Sequence, residues 1–297
     1  MRYVVGYDGS AASKAAVAFT IHLAQVTGAE VVAANVYEIV SPMIVRGSGA
    51  AATEMLQEDV RRLAERCVSE IGEPTVRRVA IAAESPAKGL HDIAEQEDAD
   101  LLAVGVTHRG PVRRIVPGSV GDRLLHAAPC PVLVVPDHAA PPPRLVAAAY
   151  DDRPEADAAL EVAARLAGDL GARLILLGVV EPSPVAPPAI SKLWRELCRV
   201  RGERLEEVAA GLRDTGLDTT SRLLVGRAED EIVRAIGTDI GLLVAGSRGY
   251  GPVRGVLAGS VSRHLVDHAP CPMVVVPRSL RESDRGLDAA PAEATAS

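Results

Sequence analysis

The chain has 297 residues, a formal net charge of −7 and four cysteines, and it is 48% apolar but only 2% aromatic. The length suggests two domains, and a core restricted to Val, Leu, Ile and Ala suits a parallel sheet buried on both faces. The acidic balance argues against nucleic-acid or acidic-membrane binding, which need a basic surface. With no leader pattern and no apolar run of spanning length, a soluble cytoplasmic protein is expected.

The first strand is expected over residues 2–7 and is followed by Asp8-Gly9-Ser10. Ser10 is a good N-cap for a helix over 11–27, and Gly28 closes it. A strand follows at 30–37. Residues 41–52 are small and polar and read as a long loop, a length that suits a ligand lid. A helix is expected at 53–71, with Leu56, Val60, Leu63, Ala64 and Cys67 on its inner face. Strand 76–82, helix 86–97 and strand 101–104 complete the run up to a glycine-rich loop. The first domain is placed at 1–138.

Residues 139–143 contain three prolines and read as a semi-rigid linker. The second domain, 144–278, retraces the plan. It has a strand at 145–150 ending on Asp151, a helix from Pro154 to 170, a strand at 173–180 and a Pro-rich loop at 181–191. A helix at 193–213, a strand at 219–225, a helix at 229–236 and a strand at 242–245 follow. Residues 279–297 are charged and Ala-rich, and disorder is expected there.

The two halves are related by duplication. Residues 105–136 read GVTHRGPVRRIVPGSVGDRLLHAAPCPVLVVP, and residues 246–277, 141 positions on, read GSRGYGPVRGVLAGSVSRHLVDHAPCPMVVVP. Each stretch is strand, glycine loop, helix start, strand. Glycines admit close backbone approach, and a helix N-terminus offers free N–H groups to an anion. Gly246, Gly249, Gly259 and Ser260 therefore read as a phosphate cradle, extended by the Val261 N–H and the Ser262 hydroxyl. The counterparts are Gly105, Gly118, Ser119 and Val120, with His108 at the second glycine position and Gly121 in place of Ser262. Arg109 and Arg248 flank the loops. Cys130 and Cys271 occupy matching places at the entry to the last strand and read as buried thiols.

The spacing Gly246-x2-Gly249-x9-Gly259-Ser260, together with APCPxxVVP, resembles the nucleotide motif and last strand of the universal stress proteins, and the likeness covers both halves. The alternation of strands and helices reads as an α/β fold with two tandem doubly wound parallel sheets and helices on both faces. The resemblance implies five strands per sheet in the order 3-2-1-4-5, and halves that pack through their fifth strands. It also implies an adenine nucleotide as ligand: ATP, with or without Mg2+, as cofactor. Asp8 and Asp151 would meet the adenosine part, with Gly6 beside Asp8, and the backbone at Val36 and Val179 would meet the adenine edge. For Asp8 a local helix-capping role competes with the ligand role, and for the two valines core packing does.

No P-loop lysine motif, dinucleotide fingerprint, nucleophile elbow or zinc-protease motif is present, and no general base stands beside the glycine loops. The resemblance implies a stress-response regulator or sensor, as a homodimer or an intramolecular pseudo-dimer, acting on a protein partner the sequence does not identify. A slow ATPase or adenylyl-transfer enzyme, and a scaffold that has lost its nucleotide, remain alternatives.

Overall fold

A computed structural model describes residues 1–39, 50–106, 120–137, 143–182, 191–237, 239–247 and 260–277. The first half runs β1 (Arg2–Gly6), α1 (Ala11–Thr27), β2 (Glu30–Glu38), α2 (Ala50–Ser69), β3 (Val76–Ala83), α3 (Pro86–Gln96), β4 (Leu101–Val106), α4 (Val120–Ala127) and β5 (Val132–Pro136). The second repeats it: β6 (Leu145–Ala149), α5 (Pro154–Leu170), β7 (Arg173–Val180), α6 (Ser191–Asp214), β8 (Thr219–Val225), α7 (Ala228–Ile236), β9 (Leu242–Gly246), α8 (Ser260–His268) and β10 (Met273–Val276).

All ten strands join one sheet in the order β3-β2-β1-β4-β5-β10-β9-β6-β7-β8. Within each half the pairing is parallel and the order is 3-2-1-4-5, with the reversal between β1 and β4 and between β6 and β9. The seam is the one antiparallel pairing among the described strands, β5 on β10, with Leu133 opposite Val274. Burial explains the order. Strands β1, β4, β5, β9 and β10 are buried along nearly their whole length, as continuous apolar runs require. Edge strands β3 and β8 mix buried and exposed positions and carry Arg77, Arg78 and Arg222, charges that discourage further strand pairing.

One core lies on each face of the sheet, and both span the two halves. The first packs α1, α2, α5 and α6 through Ala16, Leu23, Val68, Ala163, Leu205 and Ala209. The second packs α3, α4, α7 and α8 through Leu90, Ile93, Leu124, Ile232, Ile236 and Leu265. Helix α1 is capped as its sequence dictates: the Ser13 N–H donates to Ser10 Oγ, and the Gly28 N–H donates to the Ala24 carbonyl. Gly171 ends α5 in the same way.

Some boundaries differ from expectation. Helix α2 starts at Ala50, inside the stretch read as loop, because three alanines are strong helix formers. Leu56 and Leu63, expected on its inner face, are 42% and 67% exposed, and the buried residues are Ala64 and Val68, with Ile71 just beyond the helix end. Adjacent helical residues are about 100° apart, so Leu63 turns away when Ala64 faces the sheet. Helix α6 begins at Ser191. The last strand begins at Met273, after Pro272, which has no N–H for a ladder. Cys130 and Cys271 are buried just before β5 and β10, and burial pushes both thiols up to about 12. They are protonated at neutral pH. No described helix is long and apolar enough to cross a membrane. Most of the two expected lid loops (residues 40–49 and 183–190), most of the linker and the tail lie outside the described residues.

Candidate functional site

Parallel strands leave their carboxyl ends open where the strand order reverses, and the helices that leave there in opposite directions line a crevice. Each half has one. In the first half it has a volume of about 180 Å3 and brings together Gly6, Asp8, Val36, Gly105 and Val120. In the second it is about 280 Å3 and brings together Asp151, Val179, Gly246, Val261 and Ser262. His108, Arg109, Gly118, Ser119, Arg248, Gly249 and Gly259 lie outside the described residues. Ser260 is the first residue of α8.

Asp8 leaves the end of β1 in a turn held by hydroxyls. The Ser10 N–H donates to Asp8 Oδ1 (3.0 Å), the Asp8 N–H donates to Ser13 Oγ (3.3 Å), and Ser13 Oγ donates to the Ser10 carbonyl (3.1 Å). Gly9 between them has φ +80°. Partial burial raises the Asp8 carboxyl pKa, but hydrogen bonds from Ser10 and Ser13 outweigh it and hold the group below its ordinary value. The carboxylate is therefore ionised. A carboxylate has about four acceptor positions, so the bond to Ser10 leaves capacity for a ligand donor.

The second crevice is built on other chemistry. Asp152 takes the place of Gly9 at φ +61°, a backbone region Asp tolerates better than most residues. Its carboxylate accepts from Arg204 Nε (3.3 Å), and the Tyr150 hydroxyl oxygen stands 3.4 Å from it. Arg153 Nε stands 3.6 Å from Asp151 Oδ2. Arg153 also stands at the N-cap of α5 without a side-chain cap. Pro154 at the first turn and the acidic Glu155 and Asp157 compensate, suiting the positive end of the helix.

Gly105 and Gly246 meet a steric demand from the opposite wall. A Cβ on Gly105 would lie 2.2 Å from the Ala12 carbonyl carbon and oxygen, and one on Gly246 would lie 2.6 Å from the Glu155 carbonyl oxygen. Only glycine lets the strand end approach the first turn of α1 or α5. Ser262 is buried and its Oγ donates to the Gly246 carbonyl (2.9 Å). That bond fastens the first turn of α8 to the end of β9 and commits the one hydroxyl proton.

Sequence reasoning missed Tyr7 and Tyr150, buried counterparts preceding the two aspartates. Tyr7 donates to Glu70 (3.5 Å) and Tyr150 to Asp157 (3.0 Å), and burial, followed by Asp157, raises the Tyr150 pKa. Their recurrence in both repeats was the available signal. It also missed Glu181, which accepts the Ala228 N–H (2.9 Å) and so caps α7 at the rim.

The second crevice is polarised along its length. Asp151 and Glu181 at the ends of β6 and β7 favour hydroxyl and amine donors, while the N-terminus of α8, at Val261 and Ser262, favours an anion.

The sequence pattern of the Universal stress protein family matches residues 1–136 and again 144–277. A universal stress protein of Mycolicibacterium smegmatis is 31% identical over 288 residues, covering 92% of this chain and 96% of its own. One of Thermus aquaticus is 37% identical over 133 residues, covering 43% of this chain and 94% of its own. Among solved structures, a universal stress protein from Archaeoglobus fulgidus superposes with a TM-score of 0.66 at 19% identity, over 93% of this chain and 98% of its own. The chain belongs to the universal stress protein family, with two copies of the family unit in tandem.

Proposed function

We propose that this protein is a stress-response regulator that binds adenine nucleotide, ATP with or without Mg2+, and that the second half holds the stronger site. The observation that carries the reading is the polarised crevice of about 280 Å3 at the end of β6 and β9. It has donor-accepting carboxylates at one end and a helix N-terminus at the other, as a nucleoside phosphate requires. In this reading Asp151 takes the ribose or adenine donors and the backbone at Val179 lies along the base. Gly246, Arg248, Gly249, Gly259 and the N–H groups of Ser260, Val261 and Ser262 take the phosphates. The first half binds more weakly through Gly6, Asp8, Val36, Gly105, His108, Arg109, Gly118, Ser119 and Val120. Membership of the family supports the stress-response setting, and the units are proposed as residues 1–138 and 144–278, in a protein of the cytoplasm.

Calorimetric titration of the full chain with ATP tests the reading. Two unequal sites are expected, and Asp151→Ala removes the tighter one by losing about tenfold in affinity, the scale of a charge-assisted hydrogen bond, while Asp8→Ala weakens only the other. No heat of binding from ATP, ADP or AMP overturns it, and so does an Asp151→Ala variant that binds as the wild type does.

A further inference from the structure

We propose that Asp122 and Arg263 are the pair that makes the two halves of this chain dock on each other and not on copies of themselves. The argument is one of pseudo-symmetry. Residues of the duplicated segment correspond at a spacing of 141. At the seam Leu133 lies opposite Val274, and these two are counterparts. Val134 faces Met273 and Val132 faces Val275, so on either side of that centre the counterparts exchange partners. The two-fold relation therefore passes through Leu133 and Val274. On such an axis, and only there, a residue meets its own counterpart. Asp122 and Arg263 are counterparts, on α4 and α8, and they meet. Arg263 Nη2 lies 3.3 Å from Asp122 Oδ1, with side chains 31% and 13% exposed.

Two identical halves would each present the same residue at the axis. A first half paired with another first half sets Asp122 against Asp122, and a second half paired with its like sets Arg263 against Arg263. Partly buried charges are poorly screened, so both pairings bring like charges together at a cost. Only the first half on the second places opposite charges there. The strands themselves do not discriminate. β5 reads Val-Leu-Val-Val-Pro and β10 reads Met-Val-Val-Val, both buried and apolar, and an exposed strand edge accepts other strands readily. Adhesion at this seam is apolar and its selectivity is carried by the charge pair, a repulsive device against the wrong partner. The β5–α4 face of the first half takes a second half and excludes another first half.

Charge reversal in the full-length chain tests this, with thermal melting and solution mass as readouts. Asp122→Arg and Arg263→Asp each place like charges at the axis, and each is expected to lower the melting temperature by at least about 2–4 °C. The neutral changes Asp122→Asn and Arg263→Gln are expected to cost less, since they remove attraction without adding repulsion. The double reversal restores the pair in the opposite sense, recovers more than half of the summed loss and keeps the wild-type mass. If the losses in the double reversal simply add, the proposal is overturned, as it is if either single reversal leaves the melting temperature unchanged. Should a single reversal fail to fold, the cycle built from Asp122→Asn and Arg263→Gln decides by the same criterion of coupling.

Discussion

The two crevices share a backbone and differ in what holds it. In the first half the strand-to-helix turn is Asp8-Gly9-Ser10, with a left-handed glycine and a serine cap. In the second it is Asp151-Asp152-Arg153, with a left-handed aspartate, no side-chain cap, and ion pairs reaching across to Arg204 on α6. The dihedral at the middle residue is nearly the same, φ +80° against +61°. What the duplication conserves is the turn, and the aspartate ahead of it. The hydrogen bonds that pin the turn were rebuilt, from local hydroxyls in one copy to long-range charge pairs in the other. The crevice is therefore a property of sheet topology, and its walls are where the copies have been free to diverge.

The largest expected effect tests the part that did not diverge. Gly105→Ala and Gly246→Ala push a methyl group into the backbone of the first turn of α1 or α5, where no side chain can move aside. Overpacking a tight site costs about 1–3 kcal/mol and more where the obstacle is backbone. Gly105→Ala, with the closer approach, is expected to be the worse of the two by denaturant unfolding. Equal and negligible losses would mean that the crevice walls are not held at this separation and that the shared backbone is no constraint.

Those glycines also mark how far the sequence could be read. The strand–helix alternation was legible because buried parallel strands write continuous apolar runs and their helices write a 3.6-residue period. The duplication exposed the tandem plan and the paired aspartates. The packing role of Gly105 was not legible, because the atom it avoids belongs to Ala12, more than ninety residues away in the chain. Leu63 was misplaced because a stripe of five apolar residues does not say which edge of the stripe faces the sheet. The seam followed from family resemblance alone, since an apolar strand does not name its neighbour. The hydroxyl of Ser262 was read as a phosphate donor, and its bond to the Gly246 carbonyl could not be seen from spacing.

That bond gives the second test, of intermediate size. The first half has Gly121 where the second has Ser262, so only the second half ties α8 to the end of its fourth strand in this way. Ser262→Ala takes the donor away from a partly buried carbonyl, at a cost of about 1 kcal/mol. The expected outcome is a clear loss in stability with a change in ATP affinity of less than about threefold, because the proton was not available to a ligand. A tenfold loss in affinity at unchanged stability would instead assign the hydroxyl to the phosphates and sharpen the contrast between the two sites.

The smallest expected effect concerns His264, whose counterpart in the first half is Arg123. His264 stacks on His268 with ring centroids 4.0 Å apart. Burial lowers its pKa first and the neighbouring His268 lowers it further, while Glu229, Asp230 and Asp267 pull the other way without prevailing. In the unfolded chain a histidine titrates near 6.5. As pH falls through that value the unfolded state takes up a proton before the folded state does, so stability declines with falling pH and levels off once His264 is protonated in the fold as well. The first half has no such step at this place, because an arginine is charged throughout. Between pH 7.5 and 5.5 the wild type should lose more melting temperature than His264→Gln, by about 1 °C. His264→Arg, which copies the first half, should flatten the same interval. If all three lose equally, the pH response arises elsewhere and the His264–His268 stack is only packing.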